Sequence, residues 1–288
     1  MNKNRITGIV LIAFAMSMFF SCKNTNKSSG TAIAFDSITV AEKIPLLPEN
    51  DTTLPYSQVD IKFTYPAKFG TKEDLKRLQQ IFIGTFFNDQ KYDSLAPQAA
   101  TDTYLANYKK EYTLLSNDYY SDKQRLPAGE MPVWYWYQLS NTNKILFHND
   151  SLLSYAVEYS DYTGGAHGSY RITYYNIDLK DIVTVSEEDI FKPNYKKPLT
   201  NIIVRSLMKQ YNVNSPDSLI QQGFFNIEDI APNNNFWMNE KGLHYAFNQY
   251  EIAPYSMGVI DVTVPYADLD SILKPGNLVE RFFPKKSQ

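Results

Sequence analysis

Side chains suited to chemistry are sparse in this chain. Its 288 residues include three histidines, His148, His167 and His244, and one cysteine, Cys22. A zinc centre draws several His, Cys or carboxylate ligands onto one ion, commonly two histidines a helical turn apart. These histidines are too scattered for that. No His-Glu-x-x-His, Gly-x-Ser-x-Gly elbow or Gly-x-x-x-x-Gly-Lys-Ser/Thr loop occurs. Glu158 and Asp161 stand close together, but carboxylates so placed along a strand are usually solvated edges. No catalytic residue, metal ligand or cofactor is expected, and the balance leans away from an enzyme.

Two loops hold most of the unusual residues. "YSDYTGGAHGSYR", Tyr159 to Arg171, contains three of the 12 glycines and one of the three histidines. Gly164, Gly165 and Gly168 can adopt positive φ without steric cost, which between strands reads as a hairpin or bulged crossover. His167 is then either tied to nearby carbonyls or turned toward a ligand. The second loop is "YEIAPYSMG", Tyr250 to Gly258. Glu251 lies among Tyr250, Tyr255 and Met257, on a segment that Pro254 stiffens. Its carboxylate either accepts a ligand's hydrogen bond or is satisfied internally by amides or a tyrosine hydroxyl.

The elements that must position these loops are legible from periodicity. "YSQVDIKFTYP" alternates Val59, Ile61, Phe63 and Tyr65 against Asp60, Lys62 and Thr64, a half-buried strand. Leu75, Leu78, Phe82 and Phe86 then recur at helical spacing, with Thr71 and Asp74 marking the helix start. A second helix is expected over 101–115. Residues 133–162 read as three strands, broken at "SNTNK" and "HND", forming an antiparallel meander on helices. Two more strands follow the glycine loop, turning at "LKD". Ser186 and Asp189 suggest a capped turn. Leu199, Ile202, Ile203, Leu207 and Tyr211 trace an amphipathic helix, and a short helix follows "NSPDS". The chain returns to strands in "NNFWMNEKGLHYAFNQYEI" and "GVIDVTVPY". The class is α+β, in two lobes, each an antiparallel sheet packed with helices and joined near residue 165.

Lys3 and Arg5 precede an uncharged run from Ile6 to Phe20, which ends in "FFSC". This is the layout of a secretory signal, and at about 15 residues it is short for a membrane span. The placement of Cys22 looks like a bacterial lipoprotein signal, in which that cysteine is lipidated and becomes the first residue. Acyl chains on Cys22 would make the bilayer a partner. The remainder has no second cysteine, so no disulfide is possible. The expected layout is a signal peptide over 1–21, a flexible tether over 22–50, and domains over 51–165 and 166–288. Lys23 and Lys27 follow the cysteine in place of acids, which favours the outer membrane facing the periplasm. A net charge of −3 argues against nucleic acid as a partner. The 22 tyrosines and 17 phenylalanines fit a β-rich core, or a surface on which sugars stack. The oligomeric state is left open.

"LLSYAVEYSDYTGGAHGSY" with "YNIDLKDIVTVSEEDIF" resembles the junction of a family of bacterial envelope proteins. That family joins a peptidoglycan-deacetylase-associated domain (PdaC-type) to the domain of a lysozyme-sensing anti-sigma factor (RsiV-type). "GLHYAFNQYEIAPYSMGVIDVTVPYADL" resembles the second signature. The resemblance covers about Tyr56 to Leu273. It implies a two-lobed α+β fold, an extracytoplasmic location and a binding role. It carries Tyr162, Gly164, Gly165, His167, Tyr250, Glu251 and Tyr255 as candidate ligand-binding residues, with Gly168, Pro254 and Gly258 shaping the loops. Only five residues precede the apolar run, so signalling to a sigma factor is not expected. The function expected is a lipid-anchored envelope module binding a glycan, a peptidoglycan fragment or a secreted protein such as a muramidase. The alternatives are a deacetylase-type hydrolase and a structural envelope lipoprotein.

Overall fold

A computed structural model describes residues 32–49 and 51–283. Cys22 and the segment expected to be a signal peptide lie outside them. No helix among the described residues is long and apolar enough to cross a membrane.

The first lobe is a six-stranded sheet. Its strands β1 (Ala34–Pro45), β2 (Tyr56–Lys68), β3 (Tyr137–His148), β4 (Leu152–Tyr162), β5 (Ser169–Asp178) and β6 (Val183–Thr184) lie in that spatial order. Neighbours are antiparallel except β2 and β3, which run parallel. A parallel pair needs a long crossover. Here it contains α1 (Lys72–Phe87), α2 (Pro97–Leu114) and α3 (Ser116–Arg125). The Thr71–Asp74 capping box forms as expected, and Leu78, Phe82 and Phe86 are buried. α2 starts earlier than expected, with Pro97 in its first turn, where a missing N–H costs nothing. Phe82 stacks on Tyr155 of β4 with ring centroids 4.3 Å apart, joining helix layer to sheet.

Two expectations are corrected. The tether expected over 22–50 is an edge strand from Ala34 to Pro45, paired along its length with β2. Its alternating Ile38, Val40 and Ile44 turn inward. The break expected at "SNTNK" is the interior of β3, which runs unbroken from Tyr137 to His148, so 133–162 holds two strands rather than three. Asn141 and Asn143 are only 2% and 5% exposed. The Asn141 amide donates to the Phe86 carbonyl at 3.1 Å. Asn143 takes both backbone groups of Thr64, accepting from its N–H at 2.6 Å and donating to its carbonyl at 2.7 Å. Polar residues that read as a loop are thus paired inside the sheet.

The hydrogen-bonded sheet continues past residue 165, which falls in the β4–β5 hairpin, and ends at Thr184. The second lobe begins with α4 (Glu187–Ile190), behind the expected Ser186–Asp189 capping box. α5 (Lys196–Gln210) and α6 (Asp217–Gln221) pack on a three-stranded antiparallel sheet of β7 (Phe236–Asn239), β8 (Gly242–Phe247) and β9 (Ile260–Pro265). The core between them gathers Leu199, Ile203 and Leu207 of α5 with Tyr245, Phe247 and Val262 of the sheet. α7 (Leu278–Phe282) completes the lobe, burying Val279 and Phe282.

The small sheet covers the face of β4 and β5 that the helices leave open. Leu153, Tyr155 and Val157 join the helix-side core, whereas Ala156 meets Tyr174 and Ala246 on the other side. That interface is stitched by polar side chains. Ser154 Oγ donates to Asn176 Oδ1 at 2.7 Å, and the Asn176 amide donates to the Phe236 carbonyl at 2.8 Å.

Candidate functional site

β5 pairs with β6 only at Ile177 and Asp178, so its earlier part is a free sheet edge. Two asparagines of the second lobe satisfy it. Asn248 accepts from Ile172 N–H at 2.8 Å and donates to the Ile172 carbonyl at 3.0 Å. Asn235 accepts from Tyr174 N–H at 2.8 Å. An exposed edge would otherwise invite pairing with another chain. The capping by Asn248 also fixes where the Tyr250–Gly258 loop begins, directly beside the β4–β5 hairpin.

The hairpin tip is shaped by close approach. Gly164 has φ +84°, and a Cβ there would lie 1.9 Å from the Trp134 carbonyl oxygen. Gly168 passes so near Asp161 that a Cβ would stand 2.8 Å from its carbonyl. Gly165 meets no such contact. Ser169 Oγ donates to the Asp161 carboxylate across the base of the turn.

The two loops meet at His167. Its ring stacks on Tyr255, with centroids 4.2 Å apart and 29° between planes. Nδ1 lies 3.0 Å from the Gly168 carbonyl. A carbonyl only accepts, so Nδ1 is the donor there, which leaves Nε2 for the other side of the ring. That nitrogen faces the Tyr250 hydroxyl at 3.5 Å. Tyr250 is 57% exposed and holds φ +68°, a conformation non-glycine residues seldom keep. Its N–H donates to the Ala253 carbonyl at 3.0 Å, closing the turn. Ile252 and Ala253 are buried in the second core and anchor the loop from beneath.

Glu251 is held by amides: Asn233 donates to Oε2 at 2.9 Å and Asn248 to Oε1 at 3.4 Å. The carboxylate remains exposed, with further lone pairs available. Pro254 precedes a 3-10 turn over Tyr255–Met257, and Gly258 closes it with φ +68°. Together the loops border a groove of about 430 Å³ lined by His167, Tyr250, Glu251, Tyr255, Tyr159 and Arg171. Burial, followed by the nearby Asp161 charge, pushes the Tyr159 hydroxyl up to about 12.

Of the residues singled out from sequence, His167, Tyr250, Glu251 and Tyr255 converge. Tyr162 stands apart, on β4 opposite Gln138 of β3. Gly164 and Gly168 shape the hairpin without lining the groove's floor through side chains. The sequence reading missed Asn233 and Asn248, which hold Glu251, and Arg171, which ends the quoted glycine stretch. Their only local signal is an Asn directly after the apolar run "GLHYAF".

The other histidines lie elsewhere. His244 stacks on Trp237 with centroids 4.1 Å apart, and its Nδ1 is 2.9 Å from Thr263 Oγ1. Burial, then the Lys241 charge, lowers its pKa. His148 packs edge-on to Phe35. Among the described residues, no three His, Cys, Asp or Glu side chains are grouped as a metal site.

Comparison with known proteins places this architecture. The family model described as "Protein of unknown function (DUF3298)" matches residues 188–267, and the model "Deacetylase PdaC" matches residues 57–170. The crystal structure of a DUF3298 family member from Bacteroides fragilis superposes with a TM-score of 0.81 at 31% identity. That match covers 89% of this chain and 99% of the other. A DUF3298 family protein from Pseudomonas aeruginosa matches at TM-score 0.58 and 16% identity, over 88% and 98% of the two chains, a likeness of fold alone. No curated protein matches.

Proposed function

The chain belongs to the DUF3298 family, and on that premise we propose that it is a lipid-anchored binding module of the cell envelope. Its ligand is a glycan or peptidoglycan fragment, received in the groove where the two loops meet. The observation that carries the reading is the His167–Tyr255 stack, which joins a loop of each lobe into one exposed aromatic surface. Sugar rings bind through their C–H faces against aromatic rings and through hydroxyls to planar polar groups. Tyr250 and Tyr255 supply the first, and Glu251 with Asn248 the second. Tyr250's left-handed backbone fits this view, since such conformations concentrate where a side chain must be aimed. The lipid anchor rests on the Cys22 signal in the sequence, with the protein on the outer membrane facing the periplasm.

The test is co-sedimentation of residues 23–288 with insoluble peptidoglycan, with titration of soluble muropeptides and of a lysozyme-type muramidase in parallel. Retention on peptidoglycan is expected. Tyr255→Ala and Tyr250→Ala are each expected to weaken it about tenfold, the usual cost of truncating a central aromatic. Retention that survives both substitutions would remove the groove from the account. Capture of the muramidase without any glycan binding would make the ligand a protein.

A further inference from the structure

A second hollow of about 490 Å³ lies under α1 and α2, against the helix-covered face of the first sheet. Asn141, Tyr159, Arg171 and Tyr175 line its sheet side, and Phe87 and Tyr104 its helix side. Its volume lies within the range of small-ligand sites, roughly 300–1,000 Å³. It shares Tyr159 and Arg171, a cross-strand pair of β4 and β5, with the loop groove. Its remaining lining is its own.

Three features describe what would fill it. The first is Asn141, 2% exposed, whose Oδ1 is buried without a hydrogen-bond partner. Its amide nitrogen donates to the Phe86 carbonyl, which can only accept, so the side chain cannot be reversed to hide the problem. A buried acceptor left alone bears its full desolvation cost, so such an atom calls for a donor from outside the protein. The second is Arg171, which is exposed at the mouth and whose guanidinium makes no ion pair or hydrogen bond among the described residues. Its charge acts on the hydroxyls of Tyr159 and Tyr175. A guanidinium offers a planar fork of donors that matches a carboxylate. The third is a wall of aromatic faces with hydroxyls. Those of Tyr104 and Tyr175 engage no hydrogen bond among the described residues.

We infer that this hollow is a subsite for a carboxylated sugar. A ring O–H or N–H donates to Asn141 Oδ1, the ring lies among Tyr104, Tyr159 and Tyr175, and the carboxylate pairs with Arg171. A phosphate would call for a cradle of backbone N–H groups, whereas a single guanidinium over tyrosines suits one carboxylate on a polyhydroxylated ring. The hollow adjoins the loop groove through Tyr159 and Arg171, but its buried acceptor and its helix-side wall take no part there.

The test follows binding by ¹⁵N-resolved NMR on residues 23–288, with N-acetylmuramic acid and glucuronic acid as acidic probes and N-acetylglucosamine as the neutral one. At least one acidic sugar is expected to bind about tenfold or more tightly than the neutral sugar, and the Asn141 side-chain amide signals are expected to move on its addition. Arg171→Gln is expected to erase the acidic preference without lowering the melting temperature. Tyr104→Phe is expected to weaken the acidic sugar while keeping the fold. His167→Ala, which disturbs the loop groove, is expected to leave the Asn141 signal shifts in place, whatever it does to retention on peptidoglycan. Preference for N-acetylmuramic acid would point to peptidoglycan and preference for glucuronic acid to a uronic polysaccharide; either supports the subsite. It is overturned if acid and neutral sugars bind alike, if Arg171→Gln keeps the preference, or if the Asn141 signals stay still. Loss of the Asn141 shifts on His167→Ala would return the ligand to the loop groove.

Discussion

Neighbouring glycines 164 and 165 should respond very differently to alanine. At Gly164 the backbone sits at φ +84°, and a methyl carbon would fall 1.9 Å from Trp134 O and 2.7 Å from its carbonyl carbon. Trp134 is poorly placed to yield. It belongs to a 3-10 turn, Val133–Tyr135, whose Tyr135 carbonyl accepts from Tyr112 at 2.8 Å and whose Tyr135 hydroxyl donates to Asp122 at 2.9 Å. The left-handed backbone alone costs an L-residue about 1–2 kcal/mol, and relieving the clash requires the hairpin to move by about 1 Å. A total loss of about 2–4 kcal/mol follows, which lowers the melting temperature by roughly 5–12 °C for a chain of this size. At Gly165 the nearest atom is the His167 carbonyl oxygen at 3.8 Å and φ is ordinary. Alanine there should change stability by no more than about 0.5 kcal/mol. Thermal unfolding followed by circular dichroism reads both variants. Because Gly164 and His167 share one turn, Gly164→Ala should also weaken peptidoglycan retention, while Gly165→Ala should not. Equal melting temperatures for the two variants would refute the steric argument and the loop geometry behind it.

Other outcomes follow from buried polar groups. Glu187 is 2% exposed; its carboxylate accepts from Asn234 N–H at 2.9 Å and from the Tyr195 hydroxyl at 3.0 Å, yet burial still raises its pKa. A carboxyl with a raised folded pKa contributes its full stability below its unfolded value, near 4.5, and loses it as pH rises through the folded one. Glu187→Gln should therefore gain on the wild type at about pH 7–8, and the gain should vanish near about pH 4; melting curves across that window decide it, and a gain that grows toward acid would reverse the sign. Asn143→Val should cost about 1–3 kcal/mol by orphaning the N–H and carbonyl of Thr64, read as a lowered urea midpoint with an unchanged slope.

Much of this fold could be read before any coordinates. The capping boxes at Thr71 and Ser186, the stripes of α1 and α5, and the alternation of β2 and β9 are local patterns, and each formed where the pattern lay. The two loops that meet at His167 stood out in the sequence too, since three of the 12 glycines and one of the three histidines fall in the first of them. Asn141 and Asn143 escaped because their partners, Phe86 and Thr64, lie on elements remote in sequence, so local polarity read as a break. The inward alternation of β1 was too weak to mark a strand, and pairing with β2 is what makes it one.

Composition and periodicity, which report on one segment at a time, determined the α+β class and picked out the two loops. Only the tertiary structure brought His167 onto Tyr255. That meeting depends on Asn235 and Asn248 capping the free edge of β5, and on Gly164 and Gly168 allowing the hairpin to pass close to its neighbours. The energy of each such contact belongs to a pair of distant residues, so neither segment carries it alone.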